Sequence, residues 1–511
     1  MAHLGSRRTR ALTLPVGLAL TASLGFLPTG AASAAPVDAQ PAAAVSADGP
    51  KLSYVVNTQG GHGTVERVKK AIAEAGGTVV VAYDQIGVVV AHAQNPDFAK
   101  SIRRVKGVDS AGATRTNPIV PQATTDIGVE QPLTAEQARS AAAKATAGQD
   151  PMEPLQWDLP AIKADQAHRK TLGSSKVTVG VIDTGVDDTH PDLAPNFNRG
   201  ASANCVSGAP DTTDGSWRPK TGESDHGTHV AGTIAAAKNG IGVTGVAPGV
   251  KVAGIKVANP DGFFYTESIV CAFVWAGEHG VDVTNNSYYT DPWMFNCKDD
   301  LDQGALVEAV ARATRYAERK GTVNIASAGN SSFDLASGAI EDASSPNDTT
   351  PATRTIDPRT CLDIPAMLPG VVTVSATGAK GLKASYSNYG NGVIDVAAPG
   401  GDSTVYQTPA PPATSGLILS TLPGGAYGYK AGTSMASPHV AGVAALIKST
   451  HPHASAAAVK ALLSAEADAT ACGAPYDIDG DGIVDAVCKG GKNRNGFYGA
   501  GVVNALNAVR R

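Results

Sequence analysis

Four short segments carry side chains suited to nucleophilic acyl transfer. Ser434 stands in Gly432-Thr433-Ser434-Met435-Ala436-Ser437-Pro438-His439. A serine hydroxyl is a weak nucleophile unless a base takes its proton and donors meet the oxyanion that forms. The small residues before Ser434 leave its hydroxyl exposed. Pro438 suits a first helical turn, and His439 to Ile447 reads as an apolar, Ala-rich helix. Taken alone, a serine here is an ordinary helix N-cap. Three upstream segments change that reading. Val177 to Ile182 is a β-branched run ending in Asp183-Thr184-Gly185, which places a carboxylate at the end of a buried strand. Asp225-His226-Gly227-Thr228-His229 opens a second small-residue helix, and Val323 to Ala328 is a strand running into Gly329-Asn330. His226 supplies a base near neutral pH, Asp183 a carboxylate to orient it, and Asn330 an amide donor for an oxyanion.

Each residue also has a plainer reading. Asp-Thr-Gly is the aspartic-peptidase motif, but that chemistry needs two such carboxylates and no second Asp-Thr-Gly or Asp-Ser-Gly follows. His226 and His229 share a helical face, yet no third ligand stands at zinc-peptidase spacing. Asn330 alone suits a left-handed turn, and His439 suits helix packing.

The chain order Asp, His, Ser and the four motifs together resemble the subtilisin family of serine peptidases, over roughly Gln156 to Val509. The resemblance implies Ser434 as nucleophile, His226 as general base then acid, Asp183 as the orienting carboxylate, and Asn330 as oxyanion donor beside the Ser434 backbone N–H. It implies a substrate cleft walled by Ser287, Tyr288 and Tyr289 on one side and Ser327, Ala328 and Gly329 on the other, with polypeptides as substrates. Tyr289 stands where the family has Gly, so the pocket for the residue preceding the scissile bond (P1) is expected to be reshaped. Trp293, Phe295 and the Cys297 loop either add bulk at that rim or only pack the loop. The resemblance also implies a structural Ca²⁺ and no organic cofactor. Its ligands would be Asp192, the Asn239 side chain, backbone oxygens of Ala237, Ile241 and Val243, and Glu153 at the N-terminal position. From the residues themselves, Asp477, Asp479, Asp481 and Asp485 look like an EF-hand loop. Position 12 of that loop is Cys488, so it reads equally as an acidic turn held by a disulfide.

The framework that must position these groups follows from pattern. From residue 153 to 511, β-branched runs alternate with small-residue helices, the signature of a doubly wound, mostly parallel α/β sheet with helices on both faces. Residues 51–117 show a βαββαβ order suited to a small ferredoxin-like α+β domain. It resembles the propeptide-inhibitor domain of many subtilases, which would make it an intramolecular inhibitor. Residues 118–152, rich in Pro, Ala and polar residues, read as a linker carrying the processing site, with a short helix at Thr134 to Lys144. Residues 35–50 read as flexible.

Residues 1–34 read as a secretory signal: Arg7, Arg8 and Arg10, an apolar stretch from Ala11 to Leu27, then Ala32-Ser33-Ala34. A secreted monomer is expected. No other segment is apolar for long enough to span a bilayer. The 511-residue chain has a formal net charge of −5 and no basic stripe, which argues against a nucleic-acid partner. Six cysteines in an exported chain favour disulfides. Cys472 and Cys488 bracket a polar loop and are expected to pair. Cys205, Cys271, Cys297 and Cys361 allow three pairings, and Cys271 also reads as a buried free thiol. Two other activities suit the same residues, a tripeptidyl-aminopeptidase type of exopeptidase and an inactive peptide-binding homologue.

Overall fold

The computed structural model describes residues 49–116, 127–404, 407–473, 476–477 and 481–510, all within one unit, Asp48–Arg511. The signal stretch, residues 1–34, lies outside the described residues.

The N-terminal part builds an antiparallel sheet from β1 (Leu52–Thr58), β2 (Thr78–Tyr83), β3 (Val88–Ala93) and β4 (Val108–Ala113) in the order β2-β3-β1-β4. Helices α1 (His62–Glu74) and α2 (Phe98–Ile102) complete the ferredoxin-like βαββαβ order. One sheet face buries Tyr54, Val56, Val89 and Ala91 against Val65, Val68, Ile72 and Phe98. The other face, through Val55, Val88 and Val90, joins the core of the larger part. Side-chain burial of this size is worth ~1.5–3 kcal/mol per residue.

Residues 127–152 are more ordered than their composition suggests. Strand β5 (Ile127–Pro132) pairs antiparallel with a strand of the larger part, matching Ala431 to Ile127 and Gly428 to Pro132. Helix α3 (Ala135–Ala142) follows behind a Thr134–Gln137 capping box. Strand addition uses backbone hydrogen bonds, so it needs no apolar alternation in sequence. Two short helices, α4 (Asp158–Ala161) and α5 (Ala164–His168), lead into the main sheet.

That sheet has seven parallel strands. They are β6 (Thr178–Asp183), β7 (Ala203–Asn204), β8 (Lys251–Lys256), β9 (Val283–Asn286), β11 (Val323–Ser327), β15 (Val372–Thr377) and β16 (Val396–Pro399). Between them stand β10 (Asn296–Cys297), the hairpin of β12 (Ile340–Asp342) with β13 (Arg354–Ile356), and β14 (Cys361–Leu362), which pairs with β10. The order β7-β8-β6-β9-β11-β15-β16 reverses direction between β6 and β9. A doubly wound sheet opens its crevice at the carboxyl ends of such strands.

Alternate residues feed two cores. Val179 and Val181 of β6 face one side, with α6 (His226–Ala235) and α9 (Thr433–Thr450). Ile182 faces the other, with α7 (Thr266–Glu278) and α8 (Leu301–Arg319). The hairpin β17 (Ile418–Leu422) and β18 (Ala426–Ala431) feeds directly into Gly432 and α9, and β5 is the third strand of its sheet.

The disulfides are Cys205–Cys271, Cys297–Cys361 and Cys472–Cys488. Cys271 is therefore bridged rather than a free thiol. Its apolar run is the α7 face that packs toward the loop after β7, a proximity that spacing alone does not reveal.

Candidate active site

Asp183 ends β6 and is fully buried. Its Oδ1 accepts the Thr184 N–H at 2.7 Å and lies 2.8 Å from His226 Nδ1. A carboxylate only accepts, so Nδ1 carries the proton and Nε2 is the basic nitrogen. His226 is the first residue of α6, and the entry of that helix is set by Thr184, whose Oγ1 accepts the Gly227 N–H at 2.9 Å. A Cβ on Gly227 would stand 2.3 Å from the Gly185 oxygen, so only glycine lets the helix approach this closely.

Ser434 is the second residue of α9, which packs against α6. Its Oγ donates to the Ser287 oxygen at 3.3 Å. Ser287 in turn donates from Oγ to the Ser434 oxygen at 3.0 Å. Asn285, Ser287 and Ser437 form a buried polar net that fastens the segment after β9 to α9.

Asn330 follows β11. Its Oδ1 accepts from both the backbone N–H and the Oγ1–H of Thr433, at 2.8 and 2.7 Å. That anchor turns Nδ2 toward the start of α9. The position a Cβ on Gly432 would take is 3.4 Å from the Ser434 nitrogen and 3.5 Å from Asn330 Nδ2, so two N–H donors flank one point. Gly329, at φ +93°, makes the turn that delivers Asn330.

His229 has a structural place, with Nε2 3.0 Å from the Ile418 oxygen. His439 is buried between the Met435 oxygen and Asp158 Oδ2, at 2.7 and 3.0 Å. Of the wall residues, Tyr288 belongs to the core. It stacks on Phe264 at 4.8 Å and donates to Asn286 Oδ1. Tyr289 is half-buried and accepts from Asn347 Nδ2 at 2.9 Å. Phe295 is fully buried and Trp293 lies under the Arg354 guanidinium, so these aromatics pack their loop.

The segment leaving β4 makes specific contacts on the larger part. Thr116 donates from N and Oγ1 to the two Asp348 carboxylate oxygens, at 2.8 and 2.5 Å. Arg115 reaches Glu267 at 2.5 Å and lies 3.9 Å over the Tyr265 ring. Residues 117–126, where the chain passes between β4 and β5, lie outside the described residues.

At the Asn239 loop, Asp192 is fully buried. Its Oδ2 accepts from Val243 N and Tyr427 Oη, at 3.0 and 2.9 Å, and its Oδ1 from Asn239 Nδ2 at 3.2 Å. Burial pushes this carboxyl above its ordinary range. These three donors are uncharged groups. Glu153 is committed elsewhere, to Lys238 Nζ at 2.6 Å. At the acidic loop, Asp477 and Asp481 accept backbone N–H bonds from Gly482 and Ile483. Asp479 lies outside the described residues, and Cys488 is spent in its disulfide. Among the described residues, Cys297, Asp299 and Cys361 form the one cluster of metal-ligand type, and its two sulfurs are bonded to each other.

Sequence reasoning missed Asp363, a buried carboxylate against Gly329. No local motif marks it.

The chain is similar to several known proteins. M-protease of Shouchella clausii is 33% identical over 354 residues, which is 69% of this chain and 70% of that protein. Subtilisin BL of Lederbergia lenta is 34% identical over 330 residues, 65% of this chain and 96% of that protein. Among solved structures, fervidolysin from Fervidobacterium pennivorans, described as a keratinolytic enzyme related to subtilisin, superposes with a TM-score of 0.60 at 25% identity. The match covers 91% of this chain and 61% of that one. The epidermin leader peptide processing protease of Staphylococcus aureus shares the fold at a TM-score of 0.62 and 21% identity, over 90% and 98% of the two chains. Residues 174–501 match the Subtilase family, well over half of the 511-residue chain, and the chain is a serine peptidase belonging to that family.

Proposed function

We propose that this chain is a secreted serine endopeptidase made as an inhibited precursor. The observation that carries the reading is the 2.8 Å contact between His226 Nδ1 and Asp183 Oδ1, supported by the packing of α6 against α9, the helix that holds Ser434. Ser434 Oγ attacks the scissile carbonyl carbon as His226 Nε2 takes its proton. Asp183 holds the ring and stabilises the imidazolium. Negative charge on the carbonyl oxygen falls between Asn330 Nδ2 and the Ser434 N–H. His226 returns its proton to the leaving amine, and the acyl-enzyme ester remains. Water, deprotonated by His226, then hydrolyses the ester.

Residues 51–117 act as propeptide and inhibitor. The reading is supported by the packing of β1 to β3 on α7 and α8, and by Arg115 and Thr116 on Glu267 and Asp348. Self-cleavage falls between about Asn117 and Pro154. Edman sequencing of the secreted protein locates it, and a mature start before Lys51 overturns the propeptide reading. Residues 1–34 direct export, and the three disulfides are in keeping with it. Asp192, Asn239 and the loop carbonyls hold a structural Ca²⁺, whose charge would neutralise the buried Asp192 carboxylate. The mature enzyme works as a monomer on polypeptides.

Incubating the processed protein and its Ser434→Ala variant with a peptide library tests the whole reading. Internal cleavage by the first and none by the second is expected. Release of tripeptides from N-termini alone identifies an exopeptidase, and no cleavage by either overturns catalysis.

A further inference from the structure

The Asp363 side chain has no role in the chemistry above, yet it occupies a demanding place. It follows β14 directly. That strand is paired with β10 and cross-linked to it by Cys297–Cys361. Just beyond, the Ile364 oxygen accepts from both the N–H and the Oγ1–H of Thr290, each at 2.9 Å. Asp363 is thereby clamped between the loop after β10 and the segment after β9, whose Ser287 touches Ser434. Its Oδ2 lies 3.4 Å from the position a Cβ on Gly329 would take, one residue from Asn330.

The residue is 3% exposed, and its Oδ1 has no hydrogen-bond partner. Burial alone pushes its carboxyl well above the ordinary range. Nearby Asp291 differs, because its two oxygens accept from Phe264 N and Asn347 Nδ2, at 2.5 and 2.6 Å. The carboxylates of Asp291, Asp363 and Asp342 all act on the Tyr289 phenol, which burial and these charges raise far above its usual range. No Lys or Arg pairs with Asp363 or Asp291 among the described residues. Beside the Gly329 turn the fold thus leaves a buried carboxylate with no cationic partner among the described residues. Burying such a group is costly unless a partner arrives, and the partner that balances its charge is a cation on an apolar stem. Lys and Arg have that form, with a methylene stem and a charge at the tip.

We propose that Asp363 determines P1 specificity, its carboxylate receiving a Lys or Arg side chain so that the enzyme cuts after basic residues. The inference rests on the peptidase reading above, and it departs from a preference for large apolar P1 residues.

Four peptide p-nitroanilides identical at P4 to P2 and carrying Arg, Lys, Phe or Leu at P1 test it on the processed protein. The expected kcat/KM for Arg and Lys exceeds that for Phe and Leu by ~10-fold or more. Asp363→Asn is expected to lower the Arg and Lys values ~10²-fold and to spare Phe and Leu. Benzamidine, a flat cation, should inhibit the unaltered enzyme competitively, a readout that needs no variant. Faster cleavage after Phe or Leu, an unchanged ratio in the variant, or no inhibition by benzamidine overturns the proposal. Labelling of Ser434 by a fluorophosphonate separates the two readings. Labelling with apolar preference defeats the pocket alone, and absence of labelling defeats the peptidase.

Discussion

His226 Nδ1 and Asp183 Oδ1 meet at 2.8 Å with both residues shut from solvent, and the Gly227 N–H docks on Thr184 beside them. The histidine is thus fixed in one tautomer by a strand-end carboxylate. Asp183→Asn keeps the shape and loses the tautomer. Its kcat should fall ~10³–10⁴-fold with KM nearly unchanged. Steady-state kinetics on a peptide substrate check this, and a loss confined to KM would contradict it.

Asn330 does two jobs that substitution separates. Its Oδ1 anchors Thr433 and its Nδ2 faces the start of α9. Asn330→Ala should lose ~10²–10³ in turnover, the scale a subtilisin oxyanion donor carries. It should also lose about 1–2 kcal/mol of stability with the two anchoring bonds. Asn330→Asp keeps the acceptor and replaces the donor with charge, so it should lose at least as much turnover while melting closer to the unaltered protein. Kinetics beside thermal melts distinguish the two roles.

Asp363 makes stability depend on pH with a definite sign. Burial raises its folded carboxyl, so on raising the pH the unfolded chain releases this proton first. The folded state is then penalised increasingly between the ordinary carboxylate range and the raised one. Asp291, raised to about 7 by burial, acts in the same direction, and the Tyr289 hydroxyl is neutral throughout. In a Ser434→Ala background, Asp363→Asn should stabilise by about 1–3 kcal/mol at pH 8 and hardly at all near pH 3.5. Denaturant melts at the two pH values measure it.

Asp192 should couple stability to calcium. After chelation, restoring Ca²⁺ to about a hundred times its dissociation constant should add about 2.7 kcal/mol. Asp192→Ala should abolish that response. Melting curves with and without Ca²⁺ decide, and an equal gain in the variant would place the ion elsewhere.

The proposed catalytic groups were legible in the sequence because each sits inside a local pattern that the fold enforces. Asp183 closes a β-branched strand, the small residues around His226 and Ser434 permit tight helix entry, and Gly329 makes the turn before Asn330. The alternation of β-branched runs with helices likewise exposed the parallel sheet. What stayed hidden depends on partners distant in the chain. The pairing of Cys205 with Cys271 spans 66 residues, and β5 joins β18 across about three hundred through backbone groups that leave no side-chain signature. Asp363 stands in Cys-Leu-Asp-Ile-Pro, an unremarkable string until β14 carries it beneath Gly329.

The central claim is that His226 makes the Ser434 hydroxyl a nucleophile. Treating the processed protein with a fluorophosphonate and mapping the adduct by peptide mass spectrometry tests it most directly. One adduct on Ser434, lost in His226→Ala, is the result predicted. An unmodified Ser434 in a folded, processed protein would contradict the account.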